Sequence, residues 1–369
     1  MPFSSFHGNT ELVRRMRDGL ARKRFPHGVI LTGPPGAGKY TLAVMMAQAM
    51  NCLTPPAGGD SADGPPDFCS TCSNCRRIGL AADLDARFAE AVEAREALRE
   101  TDKKETRILV QTHPDLLVIP PDPPQMMVKV DQVRRVIADI YLRPAEARER
   151  VYIFTTSAFM KEAANSLLKV LEEPPEFATL FLLAENPGAL LPTIRSRCVT
   201  FALAPLDPAA IEEDLAQVHP EWMVPQRKLV ARLSGGAVGR ARGFDLAGYT
   251  AARANALAVL TSALEGNDHS ALFKITETYR AGADGREKTE QLLRTLYSLL
   301  EDLLWLMEGT PELVRNTDMA RDLGKLAQAA SVAWIQEASE RLAEVERGMR
   351  RNLLRSLSLD AFATALERA

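Results

Sequence analysis

Aromatic residues are scarce in this chain, 6% of its 369 positions, and it has only five cysteines, four of them within one stretch. No apolar run approaches the roughly 20 residues that a membrane-crossing helix needs. The N-terminal "MPFSSFHGNTELVRRM" lacks the apolar core of a signal peptide. These absences argue against a membrane protein and against a disulfide-stapled secreted domain, and make the cytoplasm the expected compartment. An excess of one charge is missing too: 45 Lys and Arg stand against 48 Asp and Glu, a formal net charge of −3. A uniformly basic surface is thereby excluded, so any contact with nucleic acid must be local or shared with partners.

What is present is enough apolar content, 46% of the chain, for two or three soluble domains. The apolar stretch Val29–Thr32 runs into "GPPGAGKYTL", followed by the good helix formers of "AVMMAQAM". Strand, glycine-rich loop and helix in that order are the context of a phosphate-binding loop of the pattern G-x-x-x-x-G-K-[ST]. Gly33, Gly36 and Gly38 allow a tight loop whose N–H groups turn inward to phosphate oxygens, and Lys39 adds a positive charge at the helix N-terminus.

The rest of the metal-handling chemistry is missing. Tyr40 stands where a Ser or Thr hydroxyl would meet Mg²⁺, and its own hydroxyl lies too far out on the ring. Thr41 comes one residue late, rotated by about 100° around the helix. A hydrolysing site also needs an acidic residue at the end of a central strand, and after "VYIF" the chain has Thr155, Thr156 and Ser157. The loop therefore points to nucleotide binding without turnover or to a purely structural loop rather than to hydrolysis.

Apolar runs near residues 29, 116, 151, 180 and 199, with helical patterns between most of them, predict a largely parallel sheet covered on both faces. In "AFMKEAANSLLKVLEEPP", Met160, Ala164, Leu167, Leu168 and Leu171 are expected on one helical face, and Pro174 and Pro175 stop the helix. Beyond residue 205 the strand signal fades into helices, with a break near "LSGGAVGRARGFD".

Cys69, Cys72 and Cys75 follow a C-x-x-C-x-x-C spacing, with Cys52 upstream. Four thiolates complete a tetrahedral set for structural zinc and leave no open position for a reacting water. The same four sulfurs could also serve an iron–sulfur cluster or stand unligated. The Ala-, Glu- and Arg-rich segment of residues 80–108 reads as an exposed helical arm.

"GPPGAGK", the four-cysteine insert, "HPDLLVI", "AANSLLKVLEEPP" and "LLPTIRSRC", in that order, resemble the bacterial DNA polymerase III clamp-loader subunits, and within them the delta-prime branch. The resemblance covers Phe25 to about Arg242 well, and the C-terminal third only by position and helical character. It implies an α/β fold: a P-loop AAA+ domain with a parallel sheet and a zinc-module insert over residues 1–204, a helical lid over 205–245, and an all-α collar over 246–369. The cysteine module spans about 52–75 in that scheme.

The resemblance further implies a chain whose own ATP site is degenerate, with neither polymerase nor ATPase activity of its own, serving within the polymerase holoenzyme. Its partners would be the gamma/tau and delta subunits and, through the complex, the sliding clamp and primed DNA. Arg197, the Arg of "SRC", would be an arginine finger acting on ATP held by a neighbouring gamma/tau subunit, and Arg240 falls at the sensor 2 position. The residues that would touch a nucleotide here are Gly33, Gly36, Gly38, Lys39, Thr41 and Arg240, with Asn186 near sensor 1. The competing readings are a gamma/tau-like ATPase with unusual metal ligands and a zinc-dependent nucleic-acid-binding module. The second is weakened by the near-neutral charge and the few aromatics around the cysteines.

Overall fold

The computed structural model describes residues 2–56, 67–265, 270–278, 283–350 and 355–366. The chain divides into two compact units: Met1–Asp207 with Gly235–Arg240, and Pro208–Ser234 with Ala241–Ala369. Most of the connection between Cys52 and Cys69, residues 57–66, lies outside the described residues.

In the first unit α1 (Thr10–Ala21) precedes β1 (Gly28–Thr32) and α2 (Lys39–Asn51). The cysteine insert contributes α3 (Ser73–Gly79), and the charged arm α4 (Leu84–Glu96) and α5 (Glu100–Glu105). Then come β2 (Val110–His113), β3 (Leu116–Ile119), α6 (Val130–Ile140), β4 (Arg150–Phe154), α7 (Lys161–Glu172), β5 (Ala178–Ala184), α8 (Pro192–Arg195) and β6 (Val199–Ala202).

The six strands form one sheet in the order β2-β3-β4-β5-β1-β6. All neighbours are parallel except β2 and β3. The four central strands are buried almost throughout, as expected for parallel strands covered on both faces. Their side chains alternate between two cores. Val29, Leu31, Val151, Ile153, Phe181 and Leu183 join the core that contains α2. Ile30, Tyr152, Phe154, Leu180 and Leu182 join the core that contains α6 and α7. Phe154 and Phe181 are completely buried, each worth about 1.5–3 kcal/mol relative to exposure.

The five strands expected from apolar runs are present. The sixth, β2, is a short antiparallel edge strand with one exposed and one half-exposed residue, too weak a pattern to read in advance. At the other edge β6 has three of its four residues exposed. In α7 the fully buried stripe is Ala163, Ala164, Leu167, Val170 and Leu171; Met160 lies one residue before the helix and Leu168 is only partly buried. Helix α4 has no fully buried residue, and the arm is tied back by Arg95, whose guanidinium pairs with the buried Asp122 at 3.2 Å.

The second unit is helical among its described residues: α9 (Pro208–Val218), α10 (Val224–Leu233), α11 (Val238–Arg242, whose first residues belong to the first unit), α12 (Leu246–Glu265), α13 (Ser270–Glu277), α14 (Ala283–Met307), α15 (Ala320–Ala329), α16 (Val332–Arg350) and α17 (Arg355–Leu366). Its core is built from aliphatic residues such as Leu260, Leu296, Leu303 and Leu342. Its buried polar centre is Asp302, which accepts from the Arg315 and Asn316 N–H groups at 2.8 and 2.9 Å and from Asn316 Nδ2 at 2.7 Å.

Candidate functional site: a phosphate loop braced by a cysteine module

The loop between β1 and α2 has the conformation its glycines permit. Gly36 and Gly38 have φ of 79° and 90°, a region side chains rarely occupy. At Gly36 a Cβ would also come within 2.6 Å of the Arg240 backbone nitrogen, so the segment around Arg240 lies directly on the loop. Gly239 N–H donates to the Gly36 carbonyl at 2.9 Å. Lys39 folds over the loop it follows, donating from Nζ to the Gly33 and Pro34 carbonyls at 2.6 and 2.8 Å. Burial lowers the Lys39 pKa, and the Glu185 carboxylate opposes that shift. Thr41 is exposed on the first turn of α2.

The strand ends around the loop agree with a site lacking metal ligands at the expected place. β4 ends at Phe154, so Thr155, Thr156 and Ser157 follow the strand directly. The β1–β5 register ends with Thr32 opposite Ala184, which brings Gly33 and Glu185 next in line. Glu185 is therefore the acidic residue by the loop, a placement missed in the sequence because it depends on which strand lies beside β1. Asn186, one residue on, spends its side-chain oxygen on the Gly188 N–H at 2.8 Å.

Tyr40 does not face a phosphate. Its hydroxyl donates to the Ala81 carbonyl at 2.5 Å, in the 3-10 turn Leu80–Ala82 that follows α3. Burial raises its pKa, so it stays a neutral donor. The residue that spoils the magnesium ligand thus ties the loop to the cysteine insert.

The insert covers the flank of α2. That helix is buried on nearly every side, with Leu42–Gln48 and Met50 and Asn51 inaccessible, which explains why its sequence has no polar face. Gln48 Nε2 donates to the Cys75 carbonyl at 2.8 Å and Asn74 Nδ2 to the Asn51 carbonyl at 3.1 Å. Asn51 Oδ1 accepts the N–H groups of Arg148 and Glu149 at 3.1 and 2.9 Å. His113 completes the network. Its Nδ1 faces the Asp115 N–H at 3.1 Å and must accept, so the proton sits on Nε2, 3.3 Å from Asn74 Oδ1. Burial lowers the His113 pKa and keeps it neutral.

The sulfurs of Cys52, Cys69, Cys72 and Cys75 all lie within 4.8 Å of one another, and none is in a disulfide. Cys69 and Cys75 Sγ are 3.9 Å apart, close to the ~3.8 Å edge of a tetrahedron with 2.3 Å metal–sulfur bonds. Backbone N–H groups point at the sulfurs: Cys69 to Cys52 at 3.3 Å, Cys72 to Cys69 at 3.2 Å and Cys75 to Cys72 at 3.4 Å. Hydrogen bonds from Thr54 and from backbone donors bring Cys69 down to about 5. Burial opposes the thiolate at Cys72, but the Cys75 and Leu53 N–H groups bring its net shift downward. Burial pushes Cys52 and Cys75 up. A cation is what would hold all four as thiolates, and the donor set fits a closed four-sulfur metal site.

Arg197 is 32% exposed, beyond the end of α8 and before the edge strand β6. Its guanidinium bonds Thr193, Ser196 and Glu172, none of them a residue of the phosphate loop. Cys198 packs beside the second core, and burial pushes its thiol up to about 12, in keeping with packing rather than chemistry.

A largely parallel sheet with a glycine loop after β1, and a four-cysteine insert on the helix that follows, defines a phosphate-loop α/β protein with a cysteine cluster that could hold a metal ion. Residues 8–207 match the family model described as DNA polymerase III, delta subunit, and the chain belongs to that family. Its relatives include the delta' subunit of Pseudomonas aeruginosa, 30% identical over 58% of this chain and 54% of that protein. The delta' subunit of Yersinia pestis is 28% identical over 70% of this chain and 77% of that protein. The tau subunit of Escherichia coli is 26% identical over 90% of this chain and 41% of that protein. The chain spans about half the length of two of these curated relatives. Among solved structures, a gamma subunit-related protein of Thermotoga maritima aligns over 96% of this chain and 99% of its own, at 17% identity and a TM-score of 0.42. Among the described residues, no helix is long and apolar enough to cross a membrane.

Proposed function

We propose that this chain is the delta-prime subunit of a clamp loader, an AAA+ subunit that braces the assembly without hydrolysing ATP. It works beside gamma/tau and delta subunits to place a sliding clamp on primed DNA. Residues 205–245 are its helical lid, and the collar, 246–369, packs with its equivalents in the neighbouring subunits. The observation that carries the reading is the Tyr40 hydroxyl on the Ala81 carbonyl: the position that would hold magnesium is committed to structure. The absence of a carboxylate at Thr155, Thr156 and Ser157 supports it independently.

In this reading the four cysteines hold structural zinc, whose chemistry is to lock the insert on α2, and Gly33, Gly36, Gly38, Lys39, Thr41 and Arg240 form at most a nucleotide cradle. Catalysis is supplied outward. Arg197 reaches ATP on a gamma/tau neighbour, where a guanidinium that is always charged stabilises the transferring phosphoryl group.

The alternative is a gamma/tau-like ATPase, favoured by one observation: Glu185 beside Lys39 is a carboxylate near the loop. ATP turnover separates the two. The purified chain with Mg²⁺ is expected to be silent. A mixture with gamma/tau and delta is expected to be active and indifferent to Lys39→Ala in this chain. Turnover by the chain alone that disappears with Lys39→Ala establishes the ATPase instead.

A further inference from the structure

The Arg197 guanidinium is already engaged. Nη2 donates to Glu172 Oε1 at 2.5 Å, and Nη1 donates to the Thr193 carbonyl at 2.8 Å and approaches Ser196 Oγ at 3.3 Å. Glu172 is the last residue of α7, and Thr193 lies within α8, so two helix ends form the pocket for this one side chain. A carboxylate at a helix C-terminus faces the negative end of the macrodipole, an unfavourable position for an acid unless a cation neutralises it. Arg197 is that cation. Both partners are accessible, 32% and 49% exposed.

We propose that Glu172 is a positioning residue that parks the arginine finger. Its carboxylate occupies the guanidinium nitrogen that a phosphate oxygen would otherwise take, and the finger is delivered by exchanging one anionic oxygen for another. Carboxylate and phosphate oxygens are equivalent acceptors for a guanidinium N–H, so the exchange conserves hydrogen bonds. Thr193 and Ser196 keep Nη1 in place while Nη2 changes partner. An exposed pair is weak and screened by water, so the parking contact yields to a nucleotide once the neighbour is aligned, and resists before that. The consequence is a brake on wasteful ATP turnover when no clamp or DNA is present.

The proposal rests on the reading of Arg197 as a finger, and its test separates the two. Four versions of the chain, unaltered, Glu172→Gln, Arg197→Ala and the double variant, are assembled with gamma/tau and delta. ATP turnover is measured over a range of ATP concentrations without clamp and DNA, and again with both. Gln keeps the shape and a neutral acceptor and removes only the charge. Glu172→Gln is expected to raise the basal kcat about two- to fivefold, the range an exposed ion pair commands. KM is expected to hold, as is the melting temperature of the chain. The increase is expected to shrink when clamp and DNA are present and to vanish in the Arg197→Ala background.

A merely structural role for Glu172 lowers the rate or the melting temperature instead. If Arg197→Ala leaves turnover unchanged, the finger reading fails and the parking role with it. If Arg197→Ala slows turnover but Glu172→Gln does not raise it, or if the increase persists in the double variant, only the parking role is overturned.

Discussion

Helix α2 carries the phosphate loop at its N-terminus and the cysteine module along its flank, and the two differ in what their side chains do. The module has a complete donor set: four sulfurs within 4.8 Å, backbone N–H groups aimed at them, and a polar network behind them. The loop has the backbone of a phosphate site, but its side chains are turned to other tasks. Lys39 caps the loop's own carbonyls and Tyr40 bonds the insert. A loop can keep its shape on glycines and backbone bonds alone, whereas a metal site without its ligands has nothing to hold it. What the structure shows of their relation is that the insert packs on the helix that carries the loop and bonds its Tyr40.

Removing metal should break this comparison most severely. Cys75→Ser, or a chelator, is expected to abolish stoichiometric zinc and to unfold the insert, since four-thiolate zinc binding is worth on the order of 10 kcal/mol. Metal analysis with thermal unfolding checks it, and an unchanged melting temperature after complete metal loss removes the module's supporting role.

Asn74→Ala comes next, with an expected cost of about 1–3 kcal/mol. It deletes the bond to Asn51 and leaves the buried His113 Nε2–H without an acceptor. Denaturant unfolding measures the loss, and zinc content should remain at one ion per chain.

Tyr40→Phe is expected to cost about 1 kcal/mol through the lost bond to Ala81. Tyr40→Ser sharpens the point: it restores the hydroxyl that the loop pattern asks for, yet the purified variant should still not turn over ATP, because no carboxylate follows β4. Turnover by that variant would mean that Glu185 supplies the acid. The smallest effect is expected from Lys39→Ala, which should leave the turnover of the assembled complex unchanged within error.

Much of this was legible along the chain. Continuous apolar runs identified the buried strands, because a parallel strand covered on both faces has no solvent side to mark with polar residues. The C-x-x-C-x-x-C spacing pointed to the cluster of four sulfurs that could hold a metal ion, because thiolates that share an ion must be near one another and here three of them are near in sequence. β2 was not legible, being short, antiparallel and half exposed. Nor were the partners of the side chains around the candidate site: Tyr40 meets Ala81 across 41 residues, His113 meets Asn74 across 39, and Arg197 meets Glu172 across 25.

The sequence by itself determined which chemistry is possible: a loop that glycines can bend around phosphate, no hydroxyl or carboxylate where magnesium would need them, and four cysteines for an ion. Those are properties of residue type and local spacing. Only the tertiary structure decided what the leftover groups do. Strand order set Glu185 beside Gly33, the docking of the insert engaged Tyr40, and the meeting of two helix ends gave Arg197 a carboxylate. Hydrogen bonds and ion pairs act over a few ångströms of space, and distance along the chain carries no record of that.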